Sequence, residues 1–355
     1  MTFKWGILGT GVVAAKFAAG LGASHAMMIE WVASRSPVRA ASFAAAFGVS
    51  NAVQGYQEAL QLGTVDAVYI ATPPSEHVTH ALAAIASRTP LLVEKPFAQD
   101  AVEARIIAEA ARDAGVFCME AMWTRFLPAA GRMRALVRSD AVGEVRRFSG
   151  QLGFANQLDA SSGSFDPARG GGALAHLGVY PVSLAQWLFG VPTEVTAVGR
   201  VGPTGVYEEV AASMCYPGGV LGALGASLRV GMSDFRVLGT LGGVELSGPI
   251  YRPFGVRWSP TEPRRAQVAG TSRRARLRER GSLQRLSQLV AALGPGPATP
   301  HPYAGNGYHY QAEEVARCVA EGALESLTMP VSDSLAVALT MDRILASMRT
   351  DGASS

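Results

Sequence analysis

The opening stretch KWGILGTGVVAAKFA (Lys4 to Ala18) constrains the chain most, because Gly9, Gly11 and Ala14 keep a Gly-x-Gly-x-x-Ala spacing there. In a chain with 40 glycines such a spacing also arises by chance, so its context decides. Trp5, Ile7 and Leu8 ahead of it read as a short buried strand, and the alanine-rich Val12 to Leu21 after it reads as a helix. Strand, tight turn and helix are what a dinucleotide site requires. Gly9 permits the turn, Gly11 lets a pyrophosphate approach the backbone, and Ala14 allows close helix packing. The helix N-terminus offers unpaired N–H groups to the phosphates.

Up to about residue 120 the apolar runs MIEWVA (Met28 to Ala33), DAVYIAT (Asp66 to Thr72), PLLVEKP (Pro90 to Pro96) and VFCMEA (Val116 to Ala121) alternate with helical patterns at Val38 to Phe47, Ser75 to Ala86 and Ala101 to Ala114. That alternation predicts an α/β domain, a doubly wound parallel Rossmann sheet over residues 1–122, with ligands at the carboxyl ends of its strands. Beyond residue 140 the pattern turns to extended runs with turn signals, as in Glu144 to Phe154, Thr193 to Gly202, Val210 to Gly219 and Gly222 to Gly231. These predict a C-terminal α+β domain on a mainly antiparallel sheet, giving a substrate and oligomerisation domain over 123–355. An open sheet of this kind commonly buries its free face against a second copy, so a homo-oligomer, dimer or tetramer, is expected.

Several function classes are disfavoured. A formal net charge of +3 over 355 residues gives no general attraction to nucleic acid or an acidic membrane. The uncharged segment Gly170 to Pro192 is broken by three glycines, His176, Pro181 and Gln186, and reads as a buried turn and helix, not a membrane span. The first strand begins too early to leave room for a signal core. Cys118, Cys215 and Cys318 lie far apart without a CxxC pair, so neither a disulfide framework nor zinc is indicated, and a reducing cytoplasm fits. His77 and His80 have no further ligand at matching spacing and read as surface or packing residues; no metal is expected. Arg264 to Arg285 holds eight arginines and one acidic residue, Glu279; it reads as a solvated face, with a diphosphate-binding role as the alternative.

The turn after the second strand, WVASRSPVR, carries Ser34, Arg35 and Arg39 and no carboxylate that could take an adenosine ribose diol. Arginine there bonds and stacks over a 2′-phosphate, so NADP(H) is the expected cofactor. Lys95 is one of only three lysines, with Lys4 and Lys16, and stands at the end of a strand where ligands collect. Its compact ammonium suits a ribose hydroxyl or the tuning of a neighbouring pKa.

With these residues, GTGVVA (Gly9 to Ala14), ATPPSEHVTHALAA (Ala71 to Ala84), EKP (Glu94 to Pro96), GGGALAHLGVYPV (Gly170 to Val182) and GNGYHYQAEEVARCVAEG (Gly305 to Gly322), the chain resembles the glucose-fructose oxidoreductase and inositol dehydrogenase family, Gfo/Idh/MocA. MEAMWTRFLP (Met119 to Pro128) looks like the branch of dihydrodiol and NADP-dependent xylose dehydrogenases, which also has relatives that reduce keto groups on deoxysugars. The resemblance implies that Thr72, Pro73, Glu94 and Lys95 join the cofactor site and that Lys95 lies beside the nicotinamide. It also implies that Tyr180 is the acid/base group. A phenol of ordinary pKa about 10 is a useful proton donor, and a nearby ammonium is expected to lower that value.

Where relatives commonly carry an aspartate four residues before the acid/base group, this chain has His176. It could bond a substrate hydroxyl or carry a proton itself. Trp123, Arg125 and Phe154 are candidate pocket residues, two walls and a polar anchor. The implied activity is hydride transfer between nicotinamide and a secondary alcohol or ketone on a cyclic diol or sugar. Reduction of a nucleotide-linked deoxysugar, or a non-catalytic NADP-binding regulator, are the alternatives.

Overall fold

The computed structural model describes residues 2–24, 26–261 and 298–351. The arginine run 264–285 therefore lies outside the described residues, as does the first part of the Pro/Gly-rich 293–303 connection.

The first six strands, β1 (Phe3–Leu8), β2 (Met27–Ser34), β3 (Asn51–Gln54), β4 (Ala67–Ile70), β5 (Leu91–Val93) and β6 (Cys118–Glu120), form one parallel sheet in the order β3-β2-β1-β4-β5-β6. Helices on both faces cover it: α1 (Val12–Leu21), α2 (Pro37–Phe47), α3 (Tyr56–Gln61), α4 (His77–Ala86) and α5 (Ala101–Ala114). Trp5, Ile7, Leu8, Val68, Tyr69 and Ile70 are fully buried, as strands covered on both faces must be. β3 has no apolar run in the sequence; three of its four residues are exposed, and it holds its place by pairing Asn51–Gln54 to Trp31–Ser34 at the sheet edge.

Strand order reverses between β1 and β4, so the segments that leave these two strands open a crevice. Gly9 hydrogen-bonds to Ala33 O and Ala71 N–H to Leu8 O, at 3.0 and 2.8 Å, which fixes both segments at its floor.

After α6 (Pro128–Arg138) comes an eight-stranded sheet of β7 (Val145–Gly153), β8 (Glu194–Val201), β9 (Tyr207–Cys215), β10 (Leu221–Ser227), β11 (Met232–Gly239), β12 (Gly242–Ser247), β13 (Gly255–Pro260) and β14 (Thr299–Pro300). Its order is β14-β13-β12-β11-β7-β10-β9-β8, antiparallel except for the β7–β10 pair. On one face lies α7 (Val179–Phe189), whose run from Val179 to Trp187 is buried throughout, which accounts for its lack of charge. The other face leaves Val198, Leu221 and Leu238 exposed. α8 (His309–Ala320) returns to α1, and α9 (Val331–Asp351) packs against α5, α7 and β8. Among the described residues no helix is long and apolar enough to cross a membrane, and all three cysteines are free thiols.

Candidate active site

Gly9 adopts φ 110°, and a Cβ there would sit 2.6 Å from Ala71 O, so the turn between β1 and α1 admits only glycine. A Cβ on Gly11 would meet no protein atom within 4 Å, because its bare side faces the crevice. Ala14 is fully buried against the sheet. A cavity of about 350 Å³ opens here, lined by Gly9, Gly11, Ser34, Arg35, Arg39, Thr72, Pro73, Glu94, Lys95 and His176. Every residue expected at the cofactor from sequence reaches it except Ala14, which supports it from below.

At the adenosine end, Ser36 caps α2 by accepting the Arg39 N–H, and the buried Ser34 accepts the Ser36 N–H at 3.2 Å. A capped helix N-terminus beside two arginines favours an anion. The turn carries no carboxylate, but the fold brings one to it: Arg35 pairs with Glu76 Oε1 at 3.1 Å. Glu76 stands just before α4, distant in the chain from the turn it reaches. Tyr56 and Arg169 also line this cavity without having been expected, Arg169 arriving from the turn before Gly170.

His77 is a packing residue. Its ring nitrogens lie 3.0 and 2.9 Å from Pro96 O and Thr72 O, joining the segments after β4 and β5 that carry Thr72 and Lys95, and burial lowers its pKa to about 4. His80 touches Thr72 Oγ1 at 3.0 Å. Among the described residues no group of three or more His, Cys, Asp or Glu could hold a metal.

A second cavity, of about 240 Å³, adjoins the first, and Val13, Lys95 and His176 line both. Trp123, Phe154 and Tyr180 form part of its wall, and Lys16, Tyr251, Arg252, Asn306 and Tyr308 complete it from distant segments. Trp123 stacks on Tyr308 with centroids 4.4 Å apart, and its indole N–H donates to Tyr180 Oη at 3.3 Å. Phe154 stands edge-on to Tyr251 at 5.7 Å.

Lys95 is held from two sides. Its backbone N–H donates to Glu94 Oε2 and its ammonium donates to His176 O, both at 3.0 Å. The His176 carbonyl belongs to a π-helical turn, Leu174–Gly178, that runs into α7. Pro181, in the first turn of α7, supplies no N–H to the turn before it, which leaves carbonyl capacity there for an outside donor. Burial lowers the Lys95 pKa, against the raising effect of Glu94 and Glu120. Glu94 accepts from the Tyr69 hydroxyl, and Glu120 accepts the Phe97 N–H at 3.1 Å, its pKa pushed up to about 7 by burial.

Three expectations are corrected. Arg125 is not a pocket anchor: it is 2% exposed, donates to Ser183 Oγ and Ser183 O at 2.9 Å each, and pairs with Asp333 at 2.6 Å. It ties the Trp123 segment to α7 and α9 from behind. The Tyr180 pKa is not lowered: burial raises it first and Glu94 adds to that, because the Lys95 ammonium sits over the ring face, 5.0 Å from its centroid, and not at the hydroxyl. His176 is no proton carrier at neutral pH, since burial and then Lys95 depress its pKa to about 3. Its Nε2 is buried without a partner among the described residues.

The geometry is a dinucleotide cleft joined to an aromatic cavity, with a lysine, a buried phenol and an unsatisfied imidazole at the junction. The chain is similar to known proteins in sequence and in structure. The profile of an oxidoreductase family with an NAD-binding Rossmann fold matches residues 3–122, and that of the GFO/IDH/MocA C-terminal domain matches residues 131–245. Human trans-1,2-dihydrobenzene-1,2-diol dehydrogenase is 30% identical over 351 residues, 97% of this chain and 96% of that protein. D-xylose 1-dehydrogenase (NADP(+)) of Hypocrea jecorina is 29% identical over 381 residues, 97% of this chain and 91% of the relative. The crystal structure of aldose-aldose oxidoreductase from Caulobacter crescentus superposes with a TM-score of 0.83 at 21% identity, covering 99% of this chain and 98% of that one. Two adjoining family profiles and relatives matched along nearly the whole chain place it: the protein belongs to the Gfo/Idh/MocA family of oxidoreductases.

Proposed function

We propose that the protein is an NADP-dependent dehydrogenase that transfers hydride between nicotinamide and a secondary alcohol or ketone on a cyclic diol or sugar. The observation that carries this reading is the meeting of Lys95 and His176, which line both cavities, with Tyr180, whose ring lies 5.0 Å from the Lys95 ammonium in the second. The dinucleotide would lie along Gly9, Gly11, Thr72, Pro73 and Glu94, supplying or accepting the hydride when bound. Tyr180, kept as a phenol by its burial, protonates the alkoxide in reduction. Lys95 positions the nicotinamide ribose, and the His176 Nε2 orients a substrate hydroxyl, which would satisfy an atom otherwise costly to bury. Residues 1–122 serve the cofactor and 123–355 the substrate. The names of the diol and xylose dehydrogenases support this substrate class. A cavity of about 240 Å³ suits a single ring better than a nucleotide-linked deoxysugar. The convergent polar groups argue against a non-catalytic regulator.

NADP preference rests on Ser34, Arg35 and the capped end of α2, and on the NADP(+) relative. Arg35 is exposed enough to leave Glu76 for a 2′-phosphate. Charge-assisted hydrogen bonds contribute about 1.5 to 3 kcal/mol, so the NADP to NAD affinity ratio should be roughly tenfold to a hundredfold and collapse in Arg35→Ala. Direct titration of both cofactors into both proteins reads this. Equal affinities in the native protein would mean that Arg35 stays with Glu76 and that NAD serves as well.

We place the protein in the cytoplasm, as three free thiols suggest. We infer a homo-oligomer through the open face of the second sheet, where Val198 is exposed beside a hollow of small residues, Ala211, Ala223 and Gly225. Val198→Lys should lower the mass seen by sedimentation; an unchanged mass would place the contact elsewhere.

A further inference from the structure

The cavity next to the nicotinamide position has an uneven charge. Three of its lining residues are cations, Lys16, Lys95 and Arg252, and among the described residues none is a carboxylate. Lys95 belongs to the reacting end, beside the buried Tyr180. Lys16 and Arg252 are exposed residues of the same lining, and Lys16 acts electrostatically on both Lys95 and Glu94, whose carboxylate lines the adjoining cavity. Neither Lys16 nor Arg252 has a carboxylate within ion-pair distance among the described residues, a state they share with Arg39, Arg147 and Arg236, so it is their common place in the cavity lining that sets them apart. The two cations come from separate parts of the chain, α1 and the turn between β12 and β13. Lys16 is brought to the rim by a built contact: the Asn306 side-chain amide donates to Lys16 O at 2.7 Å, and Asn306 Oδ1 accepts the Tyr308 N–H at 3.1 Å. This clamps the segment before α8, with its ring-stacking Tyr308, onto α1.

A neutral sugar would gain little from this arrangement. Cations of one sign around a cleft with low-dielectric walls focus their field into it and favour an anion there. The aromatic lining is one connected cluster, Phe154 edge-on to Tyr251, Tyr251 with its centroid 6.2 Å from that of Trp123, and Trp123 stacked on Tyr308, and it gives an apolar face for a ring. We propose that the substrate is an anionic ring polyol, a sugar or cyclic diol bearing a carboxylate or phosphate, seated with its carbinol at Tyr180 and its anionic group between Lys16 and Arg252. This rests on the hydride-transfer reading for the orientation of the ring, but the charge of the ligand is testable apart from turnover.

D-glucose, D-glucuronate and D-glucose 6-phosphate share a pyranose ring and differ in the group on C6, so they separate ring from charge and carboxylate from phosphate. Each would be titrated calorimetrically into the NADP-loaded protein at low and at raised ionic strength, and assayed for NADP reduction. At least one of the two anions should bind about tenfold or more tightly than glucose, with the margin shrinking as salt screens exposed charges. Arg252→Gln and Lys16→Gln should each reduce that anion-to-neutral ratio about tenfold, with NADP affinity measured alongside. Glucose binding as well as both anions, or no anion binding more tightly than glucose, overturns the proposal. So does a loss in Lys16→Gln that follows NADP affinity instead of ligand charge. Selective anion binding without turnover would instead count against the hydride-transfer reading and leave the anionic site standing. Tyr180-dependent turnover indifferent to charge would do the reverse.

Discussion

Tyr180→Phe is expected to fold and bind NADP(H) as the native protein does and to lose about 10²- to 10⁴-fold in turnover, the contribution of a positioned proton donor. The substitution removes one oxygen from a residue buried at 6% exposure and leaves the Trp123 indole N–H, 3.3 Å away, without its acceptor, which costs about 1 to 3 kcal/mol of stability, so an unfolding curve is measured beside the rates. The pH dependence makes the assignment specific. Burial and Glu94 hold the hydroxyl protonated well above neutrality. Ketone reduction, which uses the phenol, should therefore be flat across the neutral range. Alcohol oxidation, which uses the phenolate, should rise with pH, and that rise should vanish in Tyr180→Phe. Lys95→Ala should be comparably slow, because the ammonium that donates to the His176 carbonyl and lies over the tyrosine ring disappears, while the backbone N–H bond to Glu94 stays. Steady-state rates in both directions over a pH series check both variants. Native-like turnover by Tyr180→Phe would transfer the proton to another group, and the His176 pKa of about 3 makes that residue a poor substitute.

The largest stability effect is expected at Asp333. Arg125 is buried and pairs with it at 2.6 Å while also donating to Ser183, one turn beyond Tyr180 on α7. Asp333→Ala leaves a desolvated guanidinium without its counter-charge, which costs about 3 to 5 kcal/mol for a fully buried pair. The Asp333 side chain is 36% exposed, so water can partly replace it, and the lower end, about 3 kcal/mol, is expected. Arg125→Met combined with Asp333→Ala should be less damaging than Asp333→Ala alone, because the charge and its partner leave together. Urea unfolding of the two variants against the native protein measures this. A single variant as stable as the native protein would mean that Ser183 and Thr328 O, 3.4 Å from Nη1, are partners enough.

Sequence by itself determined those parts of the molecule whose causes are local. The turn at Gly9 has a local cause in its φ of 110°, which excludes a side chain, and the approach of Ala71 from the segment after β4 adds a distant one. The alternation of short apolar runs with helical ones specified a parallel sheet, and with it the crevice at the strand ends where Thr72, Glu94 and Lys95 stand. Even the uncharged Val179 to Phe189 segment announced its burial through composition. The tertiary structure alone decided what depends on neighbours distant in the chain. Arg125 reads as a pocket anchor in MEAMWTRFLP and becomes an internal tie because Asp333, 208 residues later, meets it away from the cavity. Glu76 reaches Arg35, and Lys16, Tyr251, Arg252 and Tyr308 close the aromatic cavity, none of them marked by spacing. Tyr180 keeps its proton instead of losing it more easily, because desolvation is a property of everything packed around a group, and the one ammonium close by lies over its ring.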